Sequence, residues 1–233
     1  NKKISKTTRS KSKMVKPVIR TTLTKLRSED VGDLVTVTGT VAVLPNIFGT
    51  QYFYIVGSPG VQVYMHSKDF PNLAVGDVVE ITGEISEASG ETRVKLKEKT
   101  DIEIIEHAAI PHAISLDIAA TGEEYEGWLV EVHGEITELK SSYMYVDDGT
   151  DEIKVYFKRG AGINTKIYQL GDLVKVSGII SQTKTGYRLL PRSSTDIIKT
   201  GVIEDVIVRQ DAIKEESKTL TIALQNFIEE ALY

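Results

Sequence analysis

The chain carries one pattern twice, at a constant offset of 95 residues. Two strand-like segments of the first copy, Val31–Gly39 and Leu73–Gly83, return in the second copy as 126–134 and 168–178. Two single residues keep the same offset, Arg93 with Arg188 and Asp101 with Asp196. One offset held across so long a stretch predicts a duplicated domain. It also provides a two-row alignment within a single sequence.

The length of 233 residues suits two copies of about 85 residues each. The predicted organisation is a basic N-terminal arm (1–25), a first β-domain (26–106), a linker (107–114), a second β-domain (115–200) and a C-terminal helical segment (201–233). No apolar run is long enough to predict a membrane span. Because the chain begins with Asn1 and ends inside a helical pattern, we expect it to be a piece of a longer protein.

The charge is distributed unevenly around a net value of −5. Residues 1–25 carry nine Lys or Arg and no acid, whereas residues 26–106 carry six basic and thirteen acidic side chains. Residues 115–200 carry ten basic and thirteen acidic side chains. Two interpretations of the arm stay open, a solvated disordered leader and a segment that seeks nucleic acid or anionic lipid.

Each copy has the alternating pattern of five short antiparallel strands. In the first copy these are Leu34–Val43, Tyr52–Val56, Val61–Met65, Val78–Ser86 and Thr92–Lys97. Gly39 and its equivalent Gly134 interrupt the first strand, where glycine indicates a bulge or a sharp bend. A long bent first strand is what closes a small barrel.

The pattern becomes helical after Gly201. Apolar residues fall at helical spacing behind a Ser217 or Thr219 cap: Leu220, Ala223, Leu224, Phe227, Ile228, Ala231 and Leu232. The segment is interpreted as a short helix that packs on the second barrel or mediates self-association. The alternative is a lead-in to another domain.

The repeated Gly-acid-x-Val-x-aliphatic-x-Gly motif and the tyrosine-rich hairpin between its two occurrences resemble the OB-fold. Each copy is most similar to OB modules of bacterial secreted or surface proteins and of nuclease-associated nucleic-acid-binding domains. The resemblance covers residues 26–106 and 115–200 and implies an all-β fold of two tandem five-stranded OB-fold barrels. The basic N-terminal arm, which we expect to be disordered, and the short C-terminal helix lie outside it. The resemblance also favours an extracytoplasmic or cell-surface location. The first copy departs from the usual hairpin turn, with Gly57-Ser-Pro-Gly60 where the second copy has Asp147-Asp-Gly149.

Strand alternation separates outward from inward side chains in the two hairpins. The outward tyrosines are Tyr52, Tyr54 and Tyr64 in the first copy and Tyr143, Tyr145 and Tyr156 in the second. In an OB barrel this face is the usual ligand surface, where aromatic rings stack on bases. Tyrosines are also good strand residues that pair across strands, so packing remains the alternative.

Basic residues complete the predicted nucleic-acid site. They are Arg93 and Lys95 in the first copy and Lys154, Lys158, Arg159 and Arg188 in the second. Alternating basic residues on a strand also guard its edge against aggregation. Because the second copy is less acidic, it is the better candidate.

Other chemistries have little support. With no cysteine, disulfides, thiol nucleophiles and zinc-thiolate sites are excluded. The acidic turn at 147–152 lacks the order of a calcium loop and reads as a hairpin turn. We predict no catalytic residues, no metal and no cofactor. The functional hypothesis is a non-enzymatic module that binds single-stranded DNA or RNA with low sequence specificity. The alternative is an extracytoplasmic module whose barrels act as structural spacers or bind protein or glycan.

Overall fold

A computed structural model describes residues 16–202. Residues 1–15 and 203–233 lie outside the described part, and with them most of the predicted arm and the predicted C-terminal helix. Self-association through that helix therefore stays a prediction. Within residues 16–202, no helix is long and apolar enough to cross a membrane.

The first β-sheet has seven strands, of which five close into a barrel. The strands are β1 (Val18–Arg20), β2 (Leu34–Val43), β3 (Tyr52–Val56), β4 (Gly60–Met65), β5 (Asp77–Ala88), β6 (Glu91–Leu96) and β7 (Ile102–His107). Along the barrel the order is β2-β3-β4-β6-β5, and β5 pairs again with β2. β4 and β6 run parallel, and the other barrel pairs are antiparallel.

The second β-sheet repeats this arrangement. Its strands are β8 (Ile114–Ser115), β9 (Leu129–Leu139), β10 (Tyr143–Asp147), β11 (Glu152–Tyr156), β12 (Asp172–Thr183), β13 (Gly186–Leu190) and β14 (Ile197–Val202). The barrel order is β9-β10-β11-β13-β12, closed by pairing of β12 with β9. Each barrel has the strand order of an OB-fold, which confirms the prediction of two tandem five-stranded barrels.

Each barrel encloses its own apolar core. The inward positions predicted from alternation are buried, including Phe53 and Ile55 in the first core and Met144 and Val146 in the second. Burial of alternate residues is expected when one face of a strand lines a core.

Residues 18–25 belong to the first barrel, so the prediction of a free arm up to residue 25 is wrong for this part. β1 pairs in parallel with β2. The short helix α1 (Leu23–Leu26) follows, and the Thr22 side chain accepts a hydrogen bond from the backbone N–H of Lys25 at its start. Leu23 and Leu26 are buried in the first core. Ile19 also packs against this core. The basic side chains of residues 1–25 obscured these few apolar anchors in the sequence.

The bulges in the long first strands lie three residues beyond the predicted glycines. In the first barrel the extra residue is Ala42, between Val41 and Val43 in the pairing with β3. In the second it is Thr137, the residue equivalent to Ala42. The glycines have another role, since a Cβ on Gly134 would collide with the carbonyl group of Asp147. Gly134 therefore allows close approach of neighbouring backbones.

Candidate functional site

An apolar cluster joins the two barrels. It consists of Ala42, Val43, Phe48, Tyr54 and Val56 from the first barrel and Leu129, Ile179 and Leu190 from the second, and we name it the interface cluster. The backbones also touch, since a Cβ on Gly60 would collide with the carbonyl oxygen of Gly127. Apolar burial and close backbone contact hold the barrels in one arrangement. The short linker is therefore only one of several connections between them.

Two buried carboxylates lie at the junction. Glu91 accepts hydrogen bonds from the Tyr54 hydroxyl at 2.5 Å and from Ser181 Oγ of the second barrel at 2.9 Å. Burial raises the pKa of Glu91, because a low-dielectric environment disfavours the charged form.

Glu126 is buried on the second-barrel side of the same junction. Its Oε1 accepts from the backbone N–H of Thr92 at 3.1 Å and lies 3.2 Å from an Arg27 guanidinium nitrogen. Burial raises its pKa to about 7. The sequence places Glu126 beside Glu123 and Glu124 and gives no sign of its burial.

Tyr54 cannot stack on a ligand. It points outward from the first barrel, as the alternation predicts, but the second barrel covers it and leaves it 1% exposed. Its inclusion among the binding residues is therefore wrong. Tyr52 is half-buried and its hydroxyl donates to the carbonyl oxygen of Phe48 at 2.7 Å. Its ring packs against the interface cluster, so Tyr52 is only partly available to a ligand.

Part of the first-barrel face stays open. Tyr64 on β4 is partly exposed, and the Arg93 guanidinium lies 4.2 Å from its ring centroid. Arg93 Nε also donates to Ser86 Oγ at 3.1 Å. Lys95 is exposed and pairs in register with Tyr64. This barrel therefore presents one cation–π pair with a lysine beside it.

The second barrel presents the larger aromatic and basic surface. We name Tyr143, Tyr145, Lys154, Tyr156 and Arg188 the second-barrel face. Lys154 Nζ lies 4.0 Å from the ring centroid of Tyr143 and 5.5 Å from that of Tyr145. The Arg188 guanidinium lies 4.9 Å from the centroid of Tyr156, the counterpart of the Arg93–Tyr64 pair. All five side chains are partly exposed, so rings and cations meet solvent together.

Two clefts meet at Arg188. The second-barrel cleft, with a volume of about 410 Å³, is lined by Tyr145, Lys154, Tyr156, Tyr187 and Arg188 among others. The junction cleft, about 210 Å³, is lined by Tyr52, Tyr64, Glu91, Arg93, Gln182 and Arg188 among others. Since Arg188 lines both, the two clefts are neighbours along one surface.

The two remaining predicted residues, Lys158 and Arg159, are placed differently with respect to this surface. Lys158 Nζ is 3.4 Å from the Tyr52 hydroxyl and 5.7 Å from the Tyr156 ring centroid. Burial lowers the pKa of Lys158. Arg159 is exposed in a 3-10 turn and lines neither cleft. The structure thus brings Lys158 to the site and leaves Arg159 outside it.

Carboxylates of the acidic turn at 147–152 accept hydrogen bonds from backbone N–H groups. Asp147 Oδ1 accepts from the N–H of Gly149 at 2.6 Å, and Asp148 Oδ2 accepts from the N–H of Ile118 at 2.7 Å. Among residues 16–202, no group of three or more His, Asp or Glu side chains is placed to hold a metal ion. The hairpin-turn interpretation explains these residues.

No family model matches the sequence, and neither does any curated protein. Solved structures do match. The hypothetical protein ygiW of E. coli is 22% identical, over 36% of this chain and 88% of that chain, with a TM-score of 0.30. A murine DNA binding protein bound with double-stranded DNA is 12% identical, over 71% of this chain and 96% of that chain, with a TM-score of 0.35. The single-stranded DNA binding protein of Thermus aquaticus is 13% identical, over 71% of this chain and 93% of that chain, with a TM-score of 0.25. The strand order of this chain by itself identifies both barrels as OB-folds.

Proposed function

We propose that the protein binds single-stranded DNA or RNA, with little sequence preference, through the hairpin faces of its barrels. The observation that carries the proposal is the second-barrel face, where every tyrosine ring has a lysine or arginine against it. Tyr64, Arg93 and Lys95 extend the surface on the first barrel.

The chemistry of this face suits an unpaired strand. Every base has a flat π-surface, so a tyrosine ring can stack on any of them, with a gain of roughly 1–3 kcal/mol per base. Lysine and arginine between the rings can meet the phosphates that separate the bases. In a duplex the bases are already stacked on one another, so the rings would have no partner. This alternation of rings and cations therefore favours a single strand.

We also propose that binding involves no catalytic step. The function needs only stacking and charge neutralisation, and the residues that supply them are tyrosine, lysine and arginine. An extracytoplasmic or cell-surface location stays a prediction, as does the absence of catalysis.

Fluorescence anisotropy with labelled oligothymidine and oligouridine tests the proposal. Affinity should fall steeply as salt rises, because bound phosphates release counterions. Tyr145→Ala should weaken binding by about 1–3 kcal/mol, and Lys154→Gln should reduce the salt dependence. No binding to any oligonucleotide at low salt would refute the proposal.

Deleting residues 1–15 separates the barrels from the arm. This deletion removes six of the nine basic residues at the N-terminus and keeps β1, Leu23 and Leu26. If the barrels carry the site, the truncated protein should keep its sensitivity to Tyr145→Ala. If the deletion abolishes binding and Tyr145→Ala has no effect, the arm alone is the binding element.

A protein or glycan ligand is the second candidate. It is favoured by the acidic charge of both barrels and by a cleft of about 780 Å³ lined by His133, Glu135, Asp147 and Asp148 among others. Carboxylates in that cleft repel phosphate and can accept hydrogen bonds from sugar hydroxyls or basic peptides. Glycan-array binding that Glu135→Gln abolishes, without oligonucleotide binding, would support this candidate.

A further inference from the structure

A pair of equivalent arginines differs in one hydrogen bond. In the first barrel, Arg93 lies opposite Ser86 in the β5–β6 ladder and its Nε donates to Ser86 Oγ. In the second barrel, Arg188 lies opposite Ser181 in the same register. Ser181 Oγ donates to Glu91 across the junction instead. Arg188 Nε, shielded from solvent, therefore has no hydrogen-bond partner within residues 16–202.

An unsatisfied buried donor is costly, and native structures hold few of them. Its presence is understandable where a ligand supplies the missing acceptor. Arg188 lines both the junction cleft and the second-barrel cleft, so that ligand would lie where the two clefts meet. A guanidinium has donors in a planar fork that matches the oxygens of a phosphate group.

The junction cleft gathers cations from both barrels. Arg93 lines it from the first barrel and Arg188 from the second. Lys158 lies at its edge, bonded to the Tyr52 hydroxyl. Both oxygens of the buried Glu91 are engaged by Tyr54 and Ser181. The arginines therefore keep donors for an anion from outside.

We propose that the junction cleft binds one phosphodiester group of a single strand that passes from the second-barrel face to Tyr64 of the first barrel. This inference rests on the proposed function and specifies the path of the strand. The ligand would use both barrels at once, with Arg93 and Arg188 on one phosphate. A strand confined to the second-barrel face would not reach Arg93.

The interface between the barrels makes such a path favourable. The interface cluster and the contact between Gly60 and Gly127 hold the two barrels together, and with them the arginine that each barrel contributes to the junction cleft. When a site is preformed, binding carries a smaller free-energy cost for ordering its side chains. Occupying one barrel also raises the effective concentration of the strand at the other.

The experiment is a double-mutant cycle with Arg93→Gln and Arg188→Gln, measured on two oligothymidines. One has about five nucleotides, near the lower limit for a single OB-fold, and the other about twenty, enough for both barrels. On the long oligonucleotide each single variant should bind about tenfold more weakly, and the double variant should lose much less than the hundredfold of two independent contacts. On the short one, Arg188→Gln should weaken binding and Arg93→Gln should change it by less than about twofold.

Controls keep the outcomes distinct. Lys166→Gln removes an exposed charge that lines neither cleft and should leave both affinities unchanged. Thermal unfolding must show that each variant is folded. If Arg188→Gln fails to fold, Arg188→Lys keeps the charge and removes the planar fork of donors. Arg188→Lys should then weaken binding of the long oligonucleotide more than Lys166→Gln does. Loss of the phosphate contact should also reduce the slope of log affinity against log salt by about 0.7.

Two results would overturn the inference while leaving the proposed function intact. One is strictly additive losses for Arg93→Gln and Arg188→Gln on the long oligonucleotide. The other is no effect of Arg93→Gln at either length, with Tyr145→Ala still weakening binding. Failure of the proposed function looks different, because then neither oligonucleotide binds or Tyr145→Ala changes nothing.

Discussion

The two barrels share a strand order and differ in what covers their hairpin faces. Tyr54 and Tyr145 occupy equivalent positions, opposite Gln62 and Lys154 in their hairpins. Tyr54 is 1% exposed beneath the second barrel, whereas Tyr145 is partly exposed. Duplication therefore preserved the fold, while docking of one copy on the other gave equivalent residues different environments.

The differences between the copies follow this arrangement. Covered positions of the first barrel are apolar where the second is polar: Ala42 with Thr137, Val43 with Glu138, and Val56 with Asp147. The docking surface of the second barrel is apolar where the first is charged: Ile179 with Glu84, and Leu190 with Lys95. Such a head-to-tail contact buries one surface of each copy and leaves the other surfaces free.

The largest expected effect comes from placing at Ile179 of the second barrel the glutamate that occupies the equivalent position, Glu84, in the first barrel. Ile179→Glu should lower the free energy of unfolding by about 4 kcal/mol or more, because it buries a carboxylate without a partner in the interface cluster. Urea denaturation followed by tryptophan fluorescence measures this. The matched control Glu84→Ile, at the equivalent exposed position, should change stability by less than about 0.5 kcal/mol. Equal effects of the two substitutions on stability would contradict the difference in burial between Ile179 and Glu84.

The equivalent tyrosines give a second comparison. Tyr54→Ala should lower the free energy of unfolding by about 3 kcal/mol, because it leaves a cavity at the junction and removes a donor to Glu91. Tyr145→Ala should leave stability nearly unchanged and act on oligonucleotide affinity instead. Urea unfolding and anisotropy on both variants check this division. A loss of affinity without loss of stability in Tyr54→Ala would show that the first-barrel face is open after all.

The third and smallest effect concerns pH. Because burial raises the pKa of Glu126 to about 7, the folded protein holds this proton more tightly than the unfolded chain, where the pKa is about 4.3. The stabilisation is complete below the unfolded pKa and is lost as pH rises through about 7, with about 2–3 kcal/mol of the loss between about pH 5 and pH 8. Urea unfolding between about pH 5 and pH 8 should show this decline. Glu126→Gln should flatten this dependence of the free energy of unfolding on pH. If the dependence is unchanged in that variant, another group causes it.

Much of the fold could be predicted because strand signals are local. Period-two alternation and turn residues located all five strands of the first barrel, with bounds that differ from the structure by a few residues at most. The bulges were misplaced by three residues. A glycine marks where a backbone comes close, whereas the extra residue lies where hydrogen-bond register between two strands changes.

The candidate site was harder to predict. Alternation correctly placed Tyr54 outward from its barrel, yet outward did not mean exposed. Glu91 and Glu126 were missed because carboxylates are usually on the surface. A signal was present in the repeat, since positions charged in one copy and apolar in the other, such as Glu84 and Ile179, coincide with the interface cluster.

The sequence by itself determined that there are two barrels and on which side of each strand a residue points. Both properties depend on neighbours a few positions apart, through the pleat and the turns. Only the tertiary structure decided which outward faces are covered and which arginine keeps an unsatisfied donor. Those depend on how surfaces formed by residues some 90 positions apart fit together, as Ser181 and Glu91 do across the junction.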